Sequence, residues 1–194
     1  TSSDPYLISS LANLLKVTED STYWAEGVYL QQTADIDASE TRYWDDNDDD
    51  GDGNDYNDDP NDATATGDND GWLPIATLGS GGFKANYNGG YYRIIGLTID
   101  RDSSDNVGFV ADTSGASNAG ISSLGFLEAN YTVNTTSSLH EVGGIIGKVS
   151  NYSRSFDLNE VFFEGTITIA GNASSYIGGI VGSVAAAGGS KLTS

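Results

Sequence analysis

The chain carries the segment Val-Gly-Gly-Ile-Ile-Gly at residues 142–147, and it repeats this pattern. A second copy, Ile-Gly-Gly-Ile-Val-Gly, occupies residues 177–182, and a weaker one, Val-Gly-Phe-Val-Ala, occupies residues 107–111. The copies start at a constant interval, since 142 − 107 = 35 and 177 − 142 = 35. A fixed period of this size is typical of repeat proteins, in which each unit buries its apolar face against its neighbours. The pattern therefore predicts a solenoid over residues 72–194.

The residue types in the repeat favour a structural role. Equivalent positions of stacked parallel strands lie about 4.8 Å apart, so repeated Ile and Val would form apolar ladders. Paired glycines suit a tight corner or a close backbone approach. A phosphate-binding loop is the alternative, but neither Gly-Lys-Ser/Thr nor a Gly-x-Gly-x-x-Gly helix start follows. Alternating strands are predicted nearby at 121–133 and 158–169.

Residues 4–17 show helical periodicity. Their apolar residues follow i, i+3/i+4 spacing and form one stripe: Leu7, Ile8, Leu11, Leu14 and Leu15. Asp4 and Pro5 suit the N-cap and the first helical position. We expect this helix to cover the open end of the repeat core, because terminal repeats need a cap. The alternative is a helix that docks a partner.

Composition narrows the class of protein. The chain has 194 residues, and its 8 basic residues against 28 acidic ones give a net charge of −20. This charge disfavours nucleic acid and anionic lipid, and favours divalent cations or basic partners. Cysteine is absent, and no apolar run is long enough to span a bilayer. The first residue is not Met, and removal of a secretory leader would explain this. We expect an exported surface protein of a prokaryote.

The acidic residues are concentrated in one segment, residues 44–71, which lacks hydrophobic periodicity. Twelve of the 28 acidic residues lie between Asp45 and Asp70. A loop of this length is usually either functional or disordered. The segment therefore either binds metal ions or is a solvated acidic loop without a specific ion.

The spacing within this segment matches a calcium-binding loop. Asp48, Asp50, Asp52 and Asp59 correspond to positions 1, 3, 5 and 12, and Gly53 corresponds to position 6. Hard oxygen ligands at this density suit Ca²⁺ rather than Zn²⁺. A second, overlapping register would allow two ions to share aspartates. The predicted metal ligands are Asp46, Asp48, Asp50, Asp52, Asn54, Asp55, Asp59, Asp68 and Asp70.

This loop resembles the acidic calcium repeats of thrombospondin type 3 modules, and more loosely those of EF-hands and dockerins. It departs from the EF-hand because Asp59 replaces the glutamate of position 12 and no helices flank the loop. A dockerin would need a second copy, of which only residues 68–71 remain.

Several other segments resemble the GLUG-motif proteins of bacterial and archaeal surfaces. The likeness is carried by residues 72–75 (Trp-Leu-Pro-Ile), 83–90 and 95–99 (Ile-Gly-Leu-Thr-Ile), and by the Gly-Gly repeats. In that family a helix with the pattern Leu…Leu-Ala-Asn-Leu and a strand ending in Asp-Ile-Asp, here residues 35–37, precede the repeats. The weak repeat at 107–111 departs from the motif because it lacks the second and last glycines.

This resemblance implies an all-β fold, a right-handed parallel β-helix (solenoid) that forms a single domain over residues 1–194. Its parts would be a capping helix at 4–17, an acidic calcium-binding insertion at 44–71 and repeat coils at 72–194. The family occurs in large secreted adhesins, in surface-layer and stalk-like proteins, and beside some secreted peptidases. Its motif is structural and names no catalytic residue.

A carbohydrate-active enzyme is the alternative, because parallel β-helices also include polysaccharide lyases and hydrolases. The charged candidates would be Arg93, Asp100, Arg101, Asp102 and Arg154. His140 is the only histidine, and no Gly-x-Ser-x-Gly motif occurs, so a catalytic pair is hard to assemble. We therefore expect no catalytic residue and no organic cofactor.

The sequence thus predicts a non-enzymatic, secreted or cell-surface module for structure or adhesion, stabilised by Ca²⁺. No capping helix follows the last repeat at 177–182. An open end of stacked strands invites pairing, so we expect further repeats or head-to-tail self-association into a filament or lattice. Glycans are a further expected class of ligand, because Thr, Asn and Tyr are frequent.

Overall fold

In the computed structural model, the described residues are 1–44, 70–77, 81–101, 106–114, 119–135, 140–150, 156–171, 175–185 and 192–193. They contain one α-helix, α1 (Leu11–Glu19), and two 3-10 turns, Ser21–Trp24 and Ser39–Tyr43. The strands are β1 (Tyr6–Ile8), β2 (Tyr29–Gln32), β3 (Ile36–Asp37), β4 (Asn86–Asn88), β5 (Arg93–Ile95), β6 (Thr98–Arg101), β7 (Asn106–Val107), β8 (Val110–Ser114), β9 (Ala119–Ser122), β10 (Gly125–Thr135), β11 (His140–Gly143), β12 (Ile146–Ser150), β13 (Phe156–Asn159), β14 (Phe162–Gly171), β15 (Ser175–Gly178), β16 (Val181–Val184) and β17 (Leu192–Thr193). No helix in these ranges is long and apolar enough to cross a bilayer.

The strands form four sheets. One sheet has the order β1-β2-β4-β9-β13-β17, and a second has the order β3-β5-β10-β14, with β6 also paired to β10. The two smaller sheets are β7-β11-β15 and β8-β12-β16. Every pairing between these strands is parallel. Strands that are distant in sequence therefore lie side by side.

The predicted all-β, right-handed parallel β-helix is wrong for this structure. The strands belong to several small sheets that do not close into a solenoid, and about 13% of the structure is helical. The four sheets do not all extend over the same part of the chain. The two three-stranded sheets begin only at β7 and β8, whereas the other two sheets begin at β1 and β3. In residues 1–44 the chain forms α1 and two 3-10 turns besides the strands β1, β2 and β3.

The predicted helix at 4–17 is also misplaced. Residues Tyr6–Ile8 form strand β1, which pairs with β2, and the helix begins at Leu11. Ser10 is the N-cap rather than Asp4, because its Oγ accepts a hydrogen bond from the Asn13 N–H at 3.3 Å. The apolar stripe of α1 is nevertheless buried, since Leu14 and Val17 belong to the core cluster.

The three copies of the repeat lie side by side in register. Val142 pairs with Val107 on one side and with Ile177 on the other. The glycines allow neighbouring backbones to touch. A Cβ added at Gly147 would lie 2.7 Å from the Val107 nitrogen and 2.8 Å from the Ala111 oxygen. Glycine is therefore a steric requirement of this packing.

The core is built around a series of neighbouring aromatic rings. Trp44 packs against Trp72, and Trp72 stacks on Phe109, with ring centroids 6.0 Å apart in both pairs. Phe109 then contacts Phe126 at 5.2 Å, and Phe126 contacts Phe163 at 6.1 Å. The series links the residues that flank the acidic segment to the strands of the last repeat.

Gly144 and Gly179, which are equivalent in the repeat, provide a matched test of this packing. A Cβ at Gly144 would clash with the Gly179 backbone oxygen and the Phe163 ring, whereas a Cβ at Gly179 meets nothing within 4 Å. We expect Gly144→Ala to lower the free energy of unfolding by about 1–3 kcal/mol, the usual cost of overpacking. Gly179→Ala should change it by less than about 0.5 kcal/mol. Urea unfolding of both variants measures the difference, and equal effects would contradict the stacking.

Candidate functional site

The predicted calcium site falls mainly outside the described residues. Eight of its nine predicted ligands lie there: Asp46, Asp48, Asp50, Asp52, Asn54, Asp55, Asp59 and Asp68. Asp70 is the ninth and is described. What the structure shows is how the chain leaves the core before this segment and how it returns after it.

The two ends of the acidic segment are hydrogen-bonded to each other. The Gly71 N–H donates to the Trp44 carbonyl at 2.8 Å. The chain that returns from the segment is held further by the Asp100 N–H, which donates to the Asp70 carbonyl at 2.8 Å. Gly71 has φ +70°, and a Cβ there would lie 2.5 Å from the Thr98 oxygen, so the return requires glycine. The two ends of the acidic segment, Trp44 and Gly71, are therefore next to each other in the structure.

A buried arginine, Arg101, binds the residues at the end of the acidic segment. Arg101 is 5% exposed, and its Nη1 lies 3.6 Å from Asp70 Oδ2. Its Nη2 donates to the Gly71 carbonyl at 3.1 Å. Burying a guanidinium costs free energy unless it is paired and hydrogen-bonded, and both conditions are met here. We call Trp44, Asp70, Gly71, Trp72 and Arg101 the insertion base.

The insertion base limits what Asp70 can do. Its carboxylate is already the counter-ion of Arg101, so it would share its charge between that guanidinium and any metal ion. Among the residues that the structure describes, no group of three or more His, Asp or Glu side chains is placed to hold a metal.

The residues named above as catalytic candidates lie in different parts of the chain. Arg101 belongs to the insertion base, and the Arg93 side chain is exposed on β5. Asp100 lies on β6, while Asp102 and Arg154 lie outside the described residues.

Sequence reasoning missed a polar cluster on the repeat strands. Lys148 on β12 forms an ion pair with Glu141 on β11, with Nζ and Oε1 3.1 Å apart. Lys148 also lies beside Asp112 in the parallel register of β8 and β12. Ser150 Oγ lies 3.0 Å from Asp112 Oδ2 and donates a hydrogen bond to it. The signal in the sequence was the charge at Lys148, directly after the apolar Gly-Gly-Ile-Ile-Gly segment.

Burial determines the proton affinity of Asp112 in this cluster. Loss of solvent raises the pKa of its carboxyl group above the ordinary value of 3.8, although the Ser150 hydroxyl and Lys148 act in the opposite direction. Glu141 on the neighbouring strand adds a smaller upward effect on this pKa. The ionised form is therefore less favourable in the folded state than in the unfolded state.

The Asp112→Asn variant tests this balance, because an amide oxygen can still accept the Ser150 hydrogen bond. As pH rises, the unfolded chain loses its Asp112 proton before the folded chain does, so the wild type loses stability. We expect the variant to be more stable than the wild type near pH 7, and the difference to disappear near about pH 3. Urea unfolding at both pH values measures this. Ser150→Ala, which removes the donor, should instead destabilise near pH 7; a less stable Asp112→Asn protein would contradict the assignment.

No model of a protein family, no curated protein and no solved structure matches the chain.

Proposed function

We propose that the chain is a non-enzymatic structural and adhesion module of a secreted or cell-surface protein, and that it joins a second copy of itself through an exposed row of strands. The observation that carries this proposal is the contrast between the second and third copies of the repeat. They have almost the same sequence, but they differ in burial.

The contrast is large at equivalent positions. In β11 and β12 nearly every residue is buried, including Val142 and Ile146. In the last row, Ile177 is 56% exposed and Tyr176 is 55% exposed, and Val184 is also exposed. We call β14, β15 and β16 the edge row. It presents apolar side chains, and among the described residues each of its strands is the last one in its sheet, whereas the preceding row is a covered core.

The charge of the edge row suits association between identical chains. In residues 162–171 and 175–185 the only charged residue is Glu164, although the chain as a whole carries a net charge of −20. Edge strands of monomeric proteins usually carry charges or proline that block pairing. Two copies would repel each other across most surfaces, but across this one they would not.

On the opposite side of the repeat, the outer edge of β8 is covered. Ile75 forms a parallel bridge with Val110, and Phe83 forms one with Thr113. A second copy therefore finds the same surface open on both chains, which favours a symmetric pair over head-to-tail growth. Head-to-tail growth would instead use the far end, where Leu7 on β1 is 62% exposed.

Calcium binding by residues 44–71 is the second part of the proposal. Its support is the spacing of the aspartates in the sequence, together with the insertion base, which already joins both ends of the segment. Because the loop is closed before an ion binds, less conformational entropy is lost on binding. The acidic composition supports an extracellular location, where Ca²⁺ is available to weak sites.

Self-association is tested by placing a charge in the edge row. We expect the wild type to change from monomer to dimer as its concentration rises, and Ile177→Asp to remain monomeric, because a carboxylate in an apolar interface is costly. Leu7→Asp, an equally exposed apolar residue at the far end, is the control and should still dimerise. Sedimentation velocity measures both. A wild type that stays monomeric refutes the pairing, and loss of association in Leu7→Asp would indicate head-to-tail contacts.

Removal of calcium with a chelator tests whether residues 44–71 bind Ca²⁺. At an ion concentration about a hundredfold above Kd, binding adds about 2.7 kcal/mol to folding, which corresponds to a rise of roughly 5–10 °C in Tm. We expect this rise on adding Ca²⁺ and its loss on chelation. The fluorescence of Trp44 and Trp72 in the insertion base provides a second readout. Asp50→Asn should reduce the rise, while the matched Asp157→Asn on β13 should leave it unchanged. Equal melting curves with Ca²⁺ and with chelator would refute the site.

A further inference from the structure

The outer face of the six-stranded sheet contains a groove of about 290 Å³. Two rows of side chains cross it at right angles to the strands. In the parallel register the first row is Tyr29, Asn86, Gly120 and Asp157, and the second row is Gln31, Asn88, Ser122 and Asn159. Both rows line the groove. The face is therefore a two-row array of amide, hydroxyl and carboxyl groups.

The array follows from the alternation of the strands. The residues between the two rows, Leu30, Tyr87, Ile121 and Leu158, are buried in the core. Because successive side chains of a strand point to opposite faces, both polar rows must lie on the outer face. Members of a row repeat about every 4.8 Å, the spacing of neighbouring strands. Such a regular array can contact an extended ligand at several points.

A glycine gives the groove its depth. Gly120 lies in the middle of the first row, and a Cβ there would lie 2.6 Å from the Asp157 backbone oxygen. The floor at this point is consequently bare backbone, between Asn86 and Asp157. Ser2 and Pro5 also line the groove, from the chain that leads into β1.

An exposed tyrosine, Tyr91, lies beyond the end of β4, three residues after Asn88 of the second row. Tyr91 is 75% exposed, and its hydroxyl donates to Glu160 Oε2 at 2.8 Å. Since Tyr91 follows β4 and Glu160 follows β13, the side chain extends over the intervening strand β9. The Tyr91 N–H also donates to the Ser123 carbonyl at 2.8 Å, and Ser123 Oγ lies 3.0 Å from the same Glu160 oxygen. The exposed ring is thus fixed at several points.

The backbone at these three residues is strained. Tyr91, Ser123 and Glu160 have φ of 65°, 51° and 52°, in the left-handed region that residues with side chains rarely adopt. Backbone strain of this kind is concentrated at functional sites. Here the strain has one visible result, which is a rigid aromatic ring in solvent beside a polar groove.

We propose that this groove binds a neutral oligosaccharide, with Tyr91 stacking on a sugar ring. Amide and hydroxyl groups both donate and accept hydrogen bonds, as sugar hydroxyls do. An aromatic face beside such groups supplies apolar contact without loss of side-chain freedom on binding. Among the described residues that line the groove there is no Lys or Arg and one carboxylate, Asp157, and the chain carries a net charge of −20. An anionic glycan would therefore be repelled. This site lies on a different sheet from the edge row and does not depend on self-association.

Binding is tested with three neutral hexasaccharides, cellohexaose, maltohexaose and mannohexaose, and with anionic trigalacturonate. We expect at least one neutral hexasaccharide to bind saturably in an NMR titration, with amide shifts at 29–31, 86–91, 120–123 and 157–160. Trigalacturonate should not bind. Absence of binding by all three neutral sugars at about 10 mM, a concentration that detects even interactions of about −4 kcal/mol, would refute the proposal. Tighter binding of trigalacturonate would refute it as well.

Variants of the groove complete the test. Tyr91→Ala and Asn159→Ala should each weaken binding roughly three- to tenfold, in line with the loss of one aromatic contact or one hydrogen bond. Tyr91→Phe keeps the ring but loses the Glu160 hydrogen bond, and it should have an intermediate effect. Tyr176→Ala, an exposed tyrosine in the edge row, is the control and should bind normally. Equal weakening by Tyr176→Ala, or none by Tyr91→Ala in a variant that melts like the wild type, would overturn the site.

Discussion

Close backbone contact at the repeat glycines is the constraint on which the structure depends. Gly147 lies against the backbone of the preceding repeat, where a Cβ would be 2.7 Å from the Val107 nitrogen. Gly144 lies beneath the Phe163 ring and the Gly179 carbonyl. Only glycine permits these approaches, and they bring the strands of successive repeats into parallel register. The aromatic core and the polar cluster at Lys148 are built on strands that these contacts align.

The same constraint explains the character of the last repeat. Position 179 is still a glycine, as it would have to be if a further row of strands packed against it. A Cβ at this position would nevertheless meet nothing within 4 Å. The edge row therefore keeps the shape of an inner row while its apolar side chains remain exposed. In a chain of net charge −20, a surface with Glu164 as its single charged residue is where we propose that a second copy approaches. The proposed self-association would therefore use the same strand geometry that packs the inner repeats.

The two proposed ligand sites differ in how they relate to this framework. The described ends of the acidic segment are held by Arg101 and the Trp44–Trp72 pair. The groove is instead part of the largest sheet, and its amides are spaced by the strands themselves. An ion in the acidic segment would stabilise the protein locally at the insertion base. A sugar in the groove would bind to a surface that is already rigid.

The sequence by itself determined the repeat, its period and the parallel stacking of 107–111, 142–147 and 177–182, because glycine sterics and apolar ladders act locally. It did not determine the number of sheets. Residues Tyr6–Ile8, for example, fit the pattern of a helix as well as that of a strand, and in the structure they form a strand. Of the predicted metal ligands, Asp70 alone lies in the described residues. Its partner Arg101 is 31 residues (101 − 70 = 31) further along the sequence. The groove and Tyr91 depend on pairings between β2, β4, β9 and β13. Only the tertiary structure decides such pairings, because side chains far apart in sequence have no local signal of their proximity.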